Sequence, residues 1–390
     1  MTPSPTFDHH DTIRSAYPGL SAGIYLNIGT YGIMPRPALE QYLALVEDFE
    51  TYGLFSTAGV GQKAEATREV LAALLGCGPA QIAFTGNATD GTNLVLAGLA
   101  WQPGDEVITT DEEHEAINHP LLYLQKSRGI RMRRVQVSPD PELMRARVEA
   151  VVSPRTRLLA FSHVTCETGT RLPVAELCAW ARERHLLSLV DGAQSLGAIR
   201  TDVTALGCDF FTGNGHKWLC GPKGTGLFYA SPETLGQLSP AHVGAGSLEK
   251  ADVATDLAEL WPSGRRFEFG TRATTLYGGL GYSLAWLGSL GWEAIERYVA
   301  ALSDALKARI LDRPYLRLLT PRPFDHAAGL TTFVMDSWDA GEVSRELWRR
   351  GHIRVRVIPH YNGIRISTAH FNNPADLDTL MATLDSLATR

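Results

Sequence analysis

The sequence predicts an α/β protein built around a mostly parallel sheet, followed by a smaller α+β lobe. Two observations carry this prediction. Short strand patterns alternate with amphipathic helical patterns from about residue 60 to residue 230, which is typical of a parallel sheet covered by helices on both faces. After residue 270 the pattern changes to longer helical stretches and fewer strands. Because 390 residues exceed what one simple core holds, we predict a large lobe over residues 17–275 and a small lobe over residues 276–390, with residues 1–16 packed against the small lobe.

The individual elements follow from the periodicity of apolar residues. Short runs indicate strands at residues 81–84, 106–109, 133–137, 157–162, 186–190 and 209–212. Helical spacing is found at residues 62–75, 88–99, 116–125, 142–151 and 174–184, and in the first of these Val70, Leu71, Leu74 and Leu75 share one face. In the small lobe we predict one long helical region at 276–310, a short element at 330–335, a helix at 341–350, strands at 353–357 and 364–367, and a final helix from residue 374. Residues 244–264 have weak periodicity and are predicted to form an ordered loop or flap.

Composition and charge argue against several classes of function. The net charge of −6, without a basic block, argues against nucleic-acid binding. The first ten residues lack the apolar core of a signal peptide, and no run approaches the length of a membrane span. The five cysteines are odd in number and lack C-x-x-C spacing, so they indicate reduced thiols in a cytoplasmic protein and neither a disulfide framework nor a zinc site. They are Cys77, Cys166, Cys178, Cys208 and Cys220.

An acid and a lysine stand at the ends of two predicted strands. Asp191 directly follows the strand at 186–190. Lys217 lies 26 residues later, in the turn after the strand at 209–212. Open parallel sheets bind ligands beyond the carboxyl ends of their strands. Pyridoxal phosphate (PLP) needs such a pair, because the lysine holds the cofactor aldehyde as a Schiff base while the carboxylate keeps the pyridine nitrogen protonated. Either residue alone would be interpreted as a surface lysine or a turn cap.

Two further strand ends suit the same cofactor. Residues 84–91 form a strand end, a turn of small residues and a helix start, where backbone N–H groups and the helix dipole favour a phosphate and Thr89 adds a hydroxyl. The alternative is an ordinary turn capped by Asn87 or Thr85. His114 follows the strand at 106–109, where an imidazole can stack on a pyridine ring. Since His114 and His119 have the wrong spacing for a helical metal pair, no metal site is predicted.

Together these motifs resemble those of class V aminotransferase-type PLP enzymes of fold type I. The similarity covers nearly the whole chain in the same order, and its motifs are Tyr25-Leu26-Asn27, Phe84 through Asn93, Glu113-His114, Ser162-His163, Val190 through Ser195, His216-Lys217-Trp218, Gly221 through Gly226 and Arg365-Ile366-Ser367. Within the cysteine-desulfurase-like branches, residues 87–91 and 216–224 resemble isopenicillin N epimerase-like proteins. Residues 98–101 and 103–106, with Arg356 and Arg365, resemble cyst(e)ine C–S lyases. The resemblance implies a large domain with a seven-stranded sheet and a smaller α+β domain.

The resemblance also assigns roles to individual residues. Lys217 would form the Schiff base and Asp191 would pair with the pyridine nitrogen. His114 would stack on the ring, and Gln194 would hydrogen-bond the phenolic oxygen. Residues of two turns would contact the phosphate, namely Asn87, Ala88, Thr89, Asn214 and His216. Thr271 matches a residue that reaches the phosphate of the neighbouring subunit, which implies a homodimer.

The substrate implied is an amino acid, whose carboxylate suits the planar fork of arginine. Alternation with apolar neighbours predicts that Arg354, Arg356 and Arg365 point away from the packed face, and the resemblance makes Arg365, assisted by Arg356, the carboxylate ligand. After the substrate amine forms an external aldimine, the freed lysine would take the α-proton. We favour C–S β-elimination, with epimerisation and transamination as alternatives. A non-catalytic PLP-binding protein is less favoured, since the lysine and the acid are both present.

Two departures from the desulfurase pattern bear on the chemistry. Cys166 stands where desulfurases usually have an asparagine near the phenolic oxygen, and cysteine is a poorer hydrogen-bond donor. Moreover, no cysteine follows Cys220, whereas persulfide-forming desulfurases need a nucleophilic cysteine on a C-terminal loop. We therefore expect direct elimination without an enzyme persulfide.

Overall fold

The computed structural model describes residues 10–389, so the part of the predicted N-terminal packing that falls on residues 1–9 lies outside it. Helices cover both faces of a central sheet and one side of a smaller sheet. Their bounds are α1 His10–Ser15, α2 Arg36–Tyr52, α3 Val60–Leu75, α4 Ala88–Gly98, α5 Glu115–Arg128, α6 Pro141–Glu149, α7 Val174–Glu183, α8 Val203–Leu206, α9 Thr274–Leu290, α10 Trp292–Leu311, α11 Ala340–Gly351 and α12 Pro374–Ala388.

Fifteen strands are found in the described residues. They are β1 Ile24–Tyr25, β2 Ile82–Thr85, β3 Glu106–Thr110, β4 Arg131–Val135, β5 Thr156–Ser162, β6 Leu187–Asp191, β7 Phe210–Asn214, β8 Gly226–Ala230, β9 Leu248–Asp252, β10 Leu257–Leu260, β11 Leu316–Leu318, β12 Leu330–Met335, β13 Ile353–Arg354, β14 Arg356–Ile358 and β15 Gly363–Ser367.

The central sheet has seven strands in the order β2-β8-β7-β6-β5-β3-β4. Only β8 runs antiparallel to its neighbours, β2 and β7. The other pairs are parallel, as expected for strands connected by helical crossovers. The predicted α/β class with a mostly parallel seven-stranded sheet is therefore confirmed.

The core of the large lobe consists of two apolar layers, one on each face of this sheet. Successive strand residues alternate between them: Leu158 and Leu189 pack in one cluster, whereas Leu159 and Val190 pack in the other. Because both faces are covered, the sequences of these strands are nearly continuous apolar runs. Burial on both sides fixes the register, so the strand ends, which carry the polar side chains of the site, are held in place.

The small lobe contains an antiparallel sheet in the order β11-β12-β15-β14, covered by helices α10, α11 and α12. β14 is an edge strand, paired only with β15. The N-terminal segment also contacts this lobe, because Arg14 of α1 forms an ion pair with Asp376 of α12 at 2.9 Å. The boundaries 17–275 and 276–390 stay predictions.

Three local predictions were wrong or incomplete. The helical region 276–310 is two helices, α9 and α10, separated by Gly291 with a positive φ of 84°. Residues 244–264, predicted as an ordered loop or flap, contain the hairpin of β9 and β10, whose strands were not predicted. Val70 does not face the core with Leu71 and Leu75 but is 44% exposed. The buried face of α3 includes Thr67 and Arg68 instead, so a pattern counted from apolar residues alone misplaced it.

Candidate active site

A cavity of about 710 Å³ opens at the carboxyl end of the central sheet, between the two lobes. Its wall is formed by turns that follow strands of the large sheet and by β14 and β15 of the small one. Ten of its lining residues were singled out in the sequence, and they are Asn87, Thr89, His114, Cys166, Gln194, Asn214, His216, Lys217, Arg356 and Arg365. Ala88, Asp191 and Thr271, which were also predicted for the site, do not line the cavity.

Lys217 is held in the turn after β7 by close backbone packing. Gly32 N–H donates to the carbonyl of His216 at 2.7 Å. A Cβ on Gly32 would lie 2.1 Å from the Lys217 carbonyl oxygen, so only glycine allows this approach. Removal from water lowers the pKa of the Lys217 amine, and the negative charge of Asp191 partly opposes this shift. The lysine is therefore easier to deprotonate than a surface lysine.

Asp191 is the last residue of β6 and is buried at 3% exposure. Its Oδ1 accepts a hydrogen bond from Ala193 N–H at 2.8 Å. Parallel pairing sets Ser162, the last residue of β5, beside it in register. A buried carboxylate is thereby fixed at the sheet edge below the cavity, with an electrostatic interaction that reaches Lys217.

The N-terminus of α4 forms one end of the cavity. Asn87 caps the helix by accepting from Asp90 N–H, and Asn214 Oδ1 accepts from Ala88 N–H at 3.0 Å. The Thr89 N–H has no acceptor among the described residues. His216 lies beside this turn with Nδ1 3.2 Å from the Thr225 carbonyl, so its Nε2 is left for the cavity. The free N–H, side-chain donors and positive helix end make this a site for an anion.

His114 and Gln194 have fixed orientations at the cavity wall. His114 caps α5, and its Nδ1 accepts from Ala116 N–H at 3.0 Å, which places a ring proton on Nε2. Desolvation, reinforced by the charge of Lys217, lowers the pKa of His114, so the imidazole is neutral. Gln194 donates to the Gly29 carbonyl at 2.9 Å and accepts from Trp218 Nε1 at 3.0 Å, which leaves one amide hydrogen for a ligand.

Two arginines of the small lobe line the opposite wall. Arg356 of the edge strand β14 is paired in register with Arg365 of β15. Arg365 donates to the Cys166 carbonyl at 2.5 Å and to Thr30 Oγ1 at 3.2 Å, while its Nε has no partner in the described structure. As the alternation predicts, Arg365 points away from the apolar face on which Ile364 and Ile366 pack into the core of the small lobe, although β15 is buried on both faces. Burial lowers the pKa of Arg365 to about 10.

Sequence reasoning missed several residues of the cavity wall, of which Glu113 is the most notable. Glu113 is buried and accepts hydrogen bonds from Thr110 Oγ1, Ser162 Oγ and Ser162 N–H at 2.6–3.1 Å. Burial, reinforced by the nearby charge of Asp191, raises its pKa to about 7. The sequence signal that could have identified Glu113 as a residue of the site was its position directly before His114. Tyr31 and Lys223 also line the cavity without having been predicted.

Among the described residues, no cluster of His, Cys, Asp or Glu could hold a metal ion. In the same part of the chain, no helix is both long and apolar enough to cross a membrane.

Residues 39–380 match the family model described as aminotransferase class V. The chain belongs to the class V aminotransferase family. Relatives of this chain include isopenicillin N epimerase of Streptomyces clavuligerus, which is 32% identical over 93% of this chain and 94% of that protein. A cysteine desulfurase of Serratia proteamaculans is 30% identical over 97% of this chain and 98% of that one.

Two solved structures of a PLP enzyme confirm the fold. The cystine C–S lyase C-DES, in complex with its reaction product cysteine persulfide, superposes with a TM-score of 0.86 at 30% identity and covers 94% of this chain and 98% of its own. A C-DES variant with glycine covalently linked to its PLP cofactor gives a TM-score of 0.87 at the same identity, covering 95% of this chain and 98% of its own. The recognition of a class V PLP enzyme of fold type I in the sequence is thus confirmed, and PLP is the cofactor of the family.

The groups that line or adjoin the cavity are those that PLP requires. The cavity wall includes an easily deprotonated lysine and a helix N-terminus whose Thr89 N–H is unused, and the buried carboxylate of Asp191 interacts electrostatically with that lysine. Aldehyde, pyridine nitrogen and phosphate of PLP require these three groups. The additional donors of His216 and Gln194 face the same space.

Cys166 and Thr271 occupy contrasting positions relative to the cavity. Cys166 lines the cavity, but burial raises the pKa of its thiol to about 12, so the thiol is neutral and weakly nucleophilic at neutral pH. Thr271 is exposed and does not line the cavity of its own chain. Its contact with a neighbouring subunit stays a prediction.

Proposed function

We propose that this protein is a PLP-dependent lyase that cleaves the C–S bond of a cysteine-like or cystine-like amino acid by β-elimination. The observation that carries the proposal is the pair Arg356 and Arg365, which face the same cavity as Lys217 from adjacent strands. Two guanidinium groups suit an amino acid that carries more than one carboxylate, as cystine does. The similarity to the cystine C–S lyase C-DES over nearly the full chain supports the same reaction.

In this proposal the residues of the large lobe hold the cofactor. Lys217 binds the aldehyde, Asp191 holds a proton at the pyridine nitrogen and His114 covers the ring face. The N-terminal turn of α4, with Asn87, Ala88 and Thr89, binds the phosphate together with Asn214 and His216, and Gln194 donates to the phenolic oxygen. When bound there, PLP acts as an electron sink for negative charge at the substrate α-carbon.

The remaining steps belong to side chains of this chain. Arg365, assisted by Arg356, orients the substrate carboxylate so that the α C–H bond faces Lys217. Because the pKa of Lys217 is lowered, the free amine can accept the α-proton. The Cβ–S bond then breaks and its electron pair leaves with the sulfur. For cystine, addition of one water gives cysteine persulfide, pyruvate and ammonia, and no thiol of the protein takes part.

Epimerisation is the second candidate, because the isopenicillin N epimerase of S. clavuligerus is 32% identical to this chain. An epimerase would return a proton to the opposite face of the α-carbon and keep the C–S bond. Transamination would instead transfer the amino group to the cofactor. All three reactions share the groups described above, so product analysis is needed to separate them.

The purified holoenzyme should be incubated with cystine, cysteine, and amino acids without sulfur. We expect pyruvate and ammonia to form with cystine or cysteine, together with persulfide or sulfide in equal amounts. Inversion of the α-carbon without pyruvate would identify an epimerase, and amino-group transfer to a keto acid would identify an aminotransferase. Failure of all these reactions would overturn the proposal.

We also propose a homodimer in the cytoplasm. Thr271 is exposed next to Phe269, which is 41% exposed, and Leu54 and Phe55 at the end of α2 are almost fully exposed. Exposed apolar side chains mark an interface where they form a contiguous patch, and the proposed dimer would bring these residues together in one. In a dimer, Thr271 would reach the phosphate of the neighbouring subunit. Light scattering should give about twice the mass of 42.5 kDa, and a monomer would contradict the dimer.

A further inference from the structure

Glu112 is a buried carboxylate with an unusual set of partners. It lies two residues before His114 and is 2% exposed. Its Oε2 accepts hydrogen bonds from Thr165 Oγ1 at 2.7 Å, Thr168 Oγ1 at 2.6 Å and Thr168 N–H at 3.3 Å. No ion pair of the described residues includes Glu112, so its charge is stabilised by neutral donors alone. Burying a carboxylate in this way is costly unless each oxygen is satisfied.

The second oxygen of Glu112 depends on the small lobe. Tyr361 Oη donates to Glu112 Oε1 at 2.8 Å, and no other described residue donates to that atom. Tyr361 ends the short turn Pro359–Tyr361, which directly follows β14. The next residue toward the strand, His360, contacts Glu167 through Nδ1 at 2.9 Å, but at an exposed position. The Glu112–Tyr361 hydrogen bond is thus a partly buried contact between this turn and the large lobe, with its carboxylate end fully buried.

This hydrogen bond joins the two sides of the cavity, because Tyr361 belongs to the small lobe and Glu112 to the large lobe. β14 carries Arg356, is three residues long and is paired on one side only. Such an edge strand is held weakly by its own sheet. Arg356, Val357, Ile358 and Pro359 all line the cavity, so its wall continues into the turn that Tyr361 fixes. The partner, Glu112, lies on the segment that leads into His114.

We propose that Glu112 and Tyr361 are positioning residues that hold Arg356 at the distance from the cofactor pocket required by a substrate carboxylate. The inference rests on the proposed function, because it assumes that Arg356 binds an amino acid. Neither residue touches the reacting atoms. Their effect is on substrate binding, since the cofactor groups all belong to the large lobe and do not depend on the turn.

The test uses the PLP-loaded enzyme with the variant Tyr361→Phe, which removes one hydroxyl and keeps the ring. It leaves Glu112 Oε1 without a donor, and the turn is then free to move away. We expect about a tenfold rise in KM and in the dissociation constant of the amino acid, measured by the change in visible absorbance on binding. Affinity for PLP and the resting spectrum should be unchanged. Glu112→Gln should give the same pattern, because an amide cannot accept all four hydrogen bonds.

Tyr315→Phe is the matched control. The Tyr315 hydroxyl also donates to a carboxylate, Asp385, in the same lobe but away from the cavity. Loss of that bond should lower the melting temperature without changing amino-acid binding. In an Arg356→Ala background, Tyr361→Phe should raise KM less than twofold, because the group that it positions is already absent.

The outcomes separate the inference from the proposed function. If no amino acid changes the spectrum of the wild-type enzyme, the proposed function and the inference are both overturned. If amino acids bind but Tyr361→Phe behaves like Tyr315→Phe, the inference alone is overturned. The inference alone also fails if Tyr361→Phe and Arg356→Ala have independent effects, or if Tyr361→Phe weakens PLP binding instead of amino-acid binding.

Discussion

Lys217 is subject to opposing influences that suit an amine which must alternate between charged and neutral forms. Desolvation and the positive charge of Arg365 lower its pKa, whereas the charge of Asp191 raises it. The influences that lower the pKa predominate, so the amine of Lys217 becomes neutral at a lower pH than that of a surface lysine. A second lysine of the cavity, Lys223, differs because its Nζ donates to the Gly32 carbonyl at 2.6 Å.

Replacement of Lys217 by alanine should abolish the yellow, borohydride-reducible linkage of PLP and all turnover, because no other amine is so placed. The measurement is absorbance together with mass analysis after borohydride reduction. Lys223→Ala serves as the matched control, since it removes another lysine from the same cavity, and this variant should keep the linked cofactor. A reducible linkage that persists in Lys217→Ala would show that the assignment is wrong.

Cys166 allows the sulfur chemistry to be tested at a single atom. Burial keeps its thiol neutral, and elimination needs no enzyme nucleophile. Cys166→Ser should therefore retain C–S cleavage within a few-fold and still yield pyruvate and ammonia. Alanine released in step with a trapped persulfide on Cys166 of the wild-type enzyme would instead indicate a desulfurase.

At the scale of elements, the N-terminus of α4 is coupled to the lysine turn through Asn214. The side-chain carbonyl of Asn214 accepts from Ala88 N–H and so aligns the first turn of α4 with the end of β7. Asn214→Ala should weaken PLP binding about tenfold while leaving the helix folded, as measured by the dissociation constant of the apoenzyme. Asn93→Ala is the control, because Asn93 is exposed on the same helix and its side chain donates to the Thr89 carbonyl within that helix. Equal effects of the two substitutions would contradict a specific role.

The elements predicted correctly are those in which the buried positions form a regular pattern of apolar residues along the sequence. β5 and β6 are apolar throughout because helices cover both faces, and their sequence runs show this directly. The break between α9 and α10 depends on one residue, Gly291, within an otherwise helical pattern. The β9–β10 hairpin was missed because its strands are mostly exposed and therefore carry no apolar alternation.

The predicted site was incomplete for a related reason. Asp191 and Lys217 could be found because each follows a recognisable strand, and parallel strands bring their ends together. Glu112 and Glu113 stand in the same stretch as His114, but their burial follows from contacts with Ser162, Thr165 and Tyr361, which are distant in sequence. Pairings at such separations leave no local pattern.

For the molecule as a whole, Glu113 makes stability depend on pH. Its pKa of about 7 in the folded protein lies above the ordinary value of 4.5. A group whose pKa is raised by folding stabilises the fold fully below its unfolded pKa, and this contribution is lost as the pH rises through the folded pKa. The contribution of Glu113 to the free energy of unfolding of the apoenzyme should thus fall by up to about 3 kcal/mol as the pH rises from roughly 4.5 to roughly 7.5.

Glu113→Gln removes the titrating group and should flatten this part of the profile. Urea unfolding at a series of pH values gives the comparison. The control is Glu142→Gln, since the Glu142 side chain is 80% exposed and should leave the profile unchanged. Parallel profiles for the wild type and Glu113→Gln would rule out the buried carboxyl as the cause.

The order of strands in the central sheet has a consequence for synthesis of the chain. β2, which leads into the anion-binding turn, pairs in the described sheet only with β8, and Thr85 is opposite Gly226. A ribosome must therefore complete about 140 further residues before that turn acquires the neighbours that hold it. Arg365 is synthesised later still. We expect nascent chains and truncated products to lack a cofactor pocket altogether, so PLP can recognise only finished molecules.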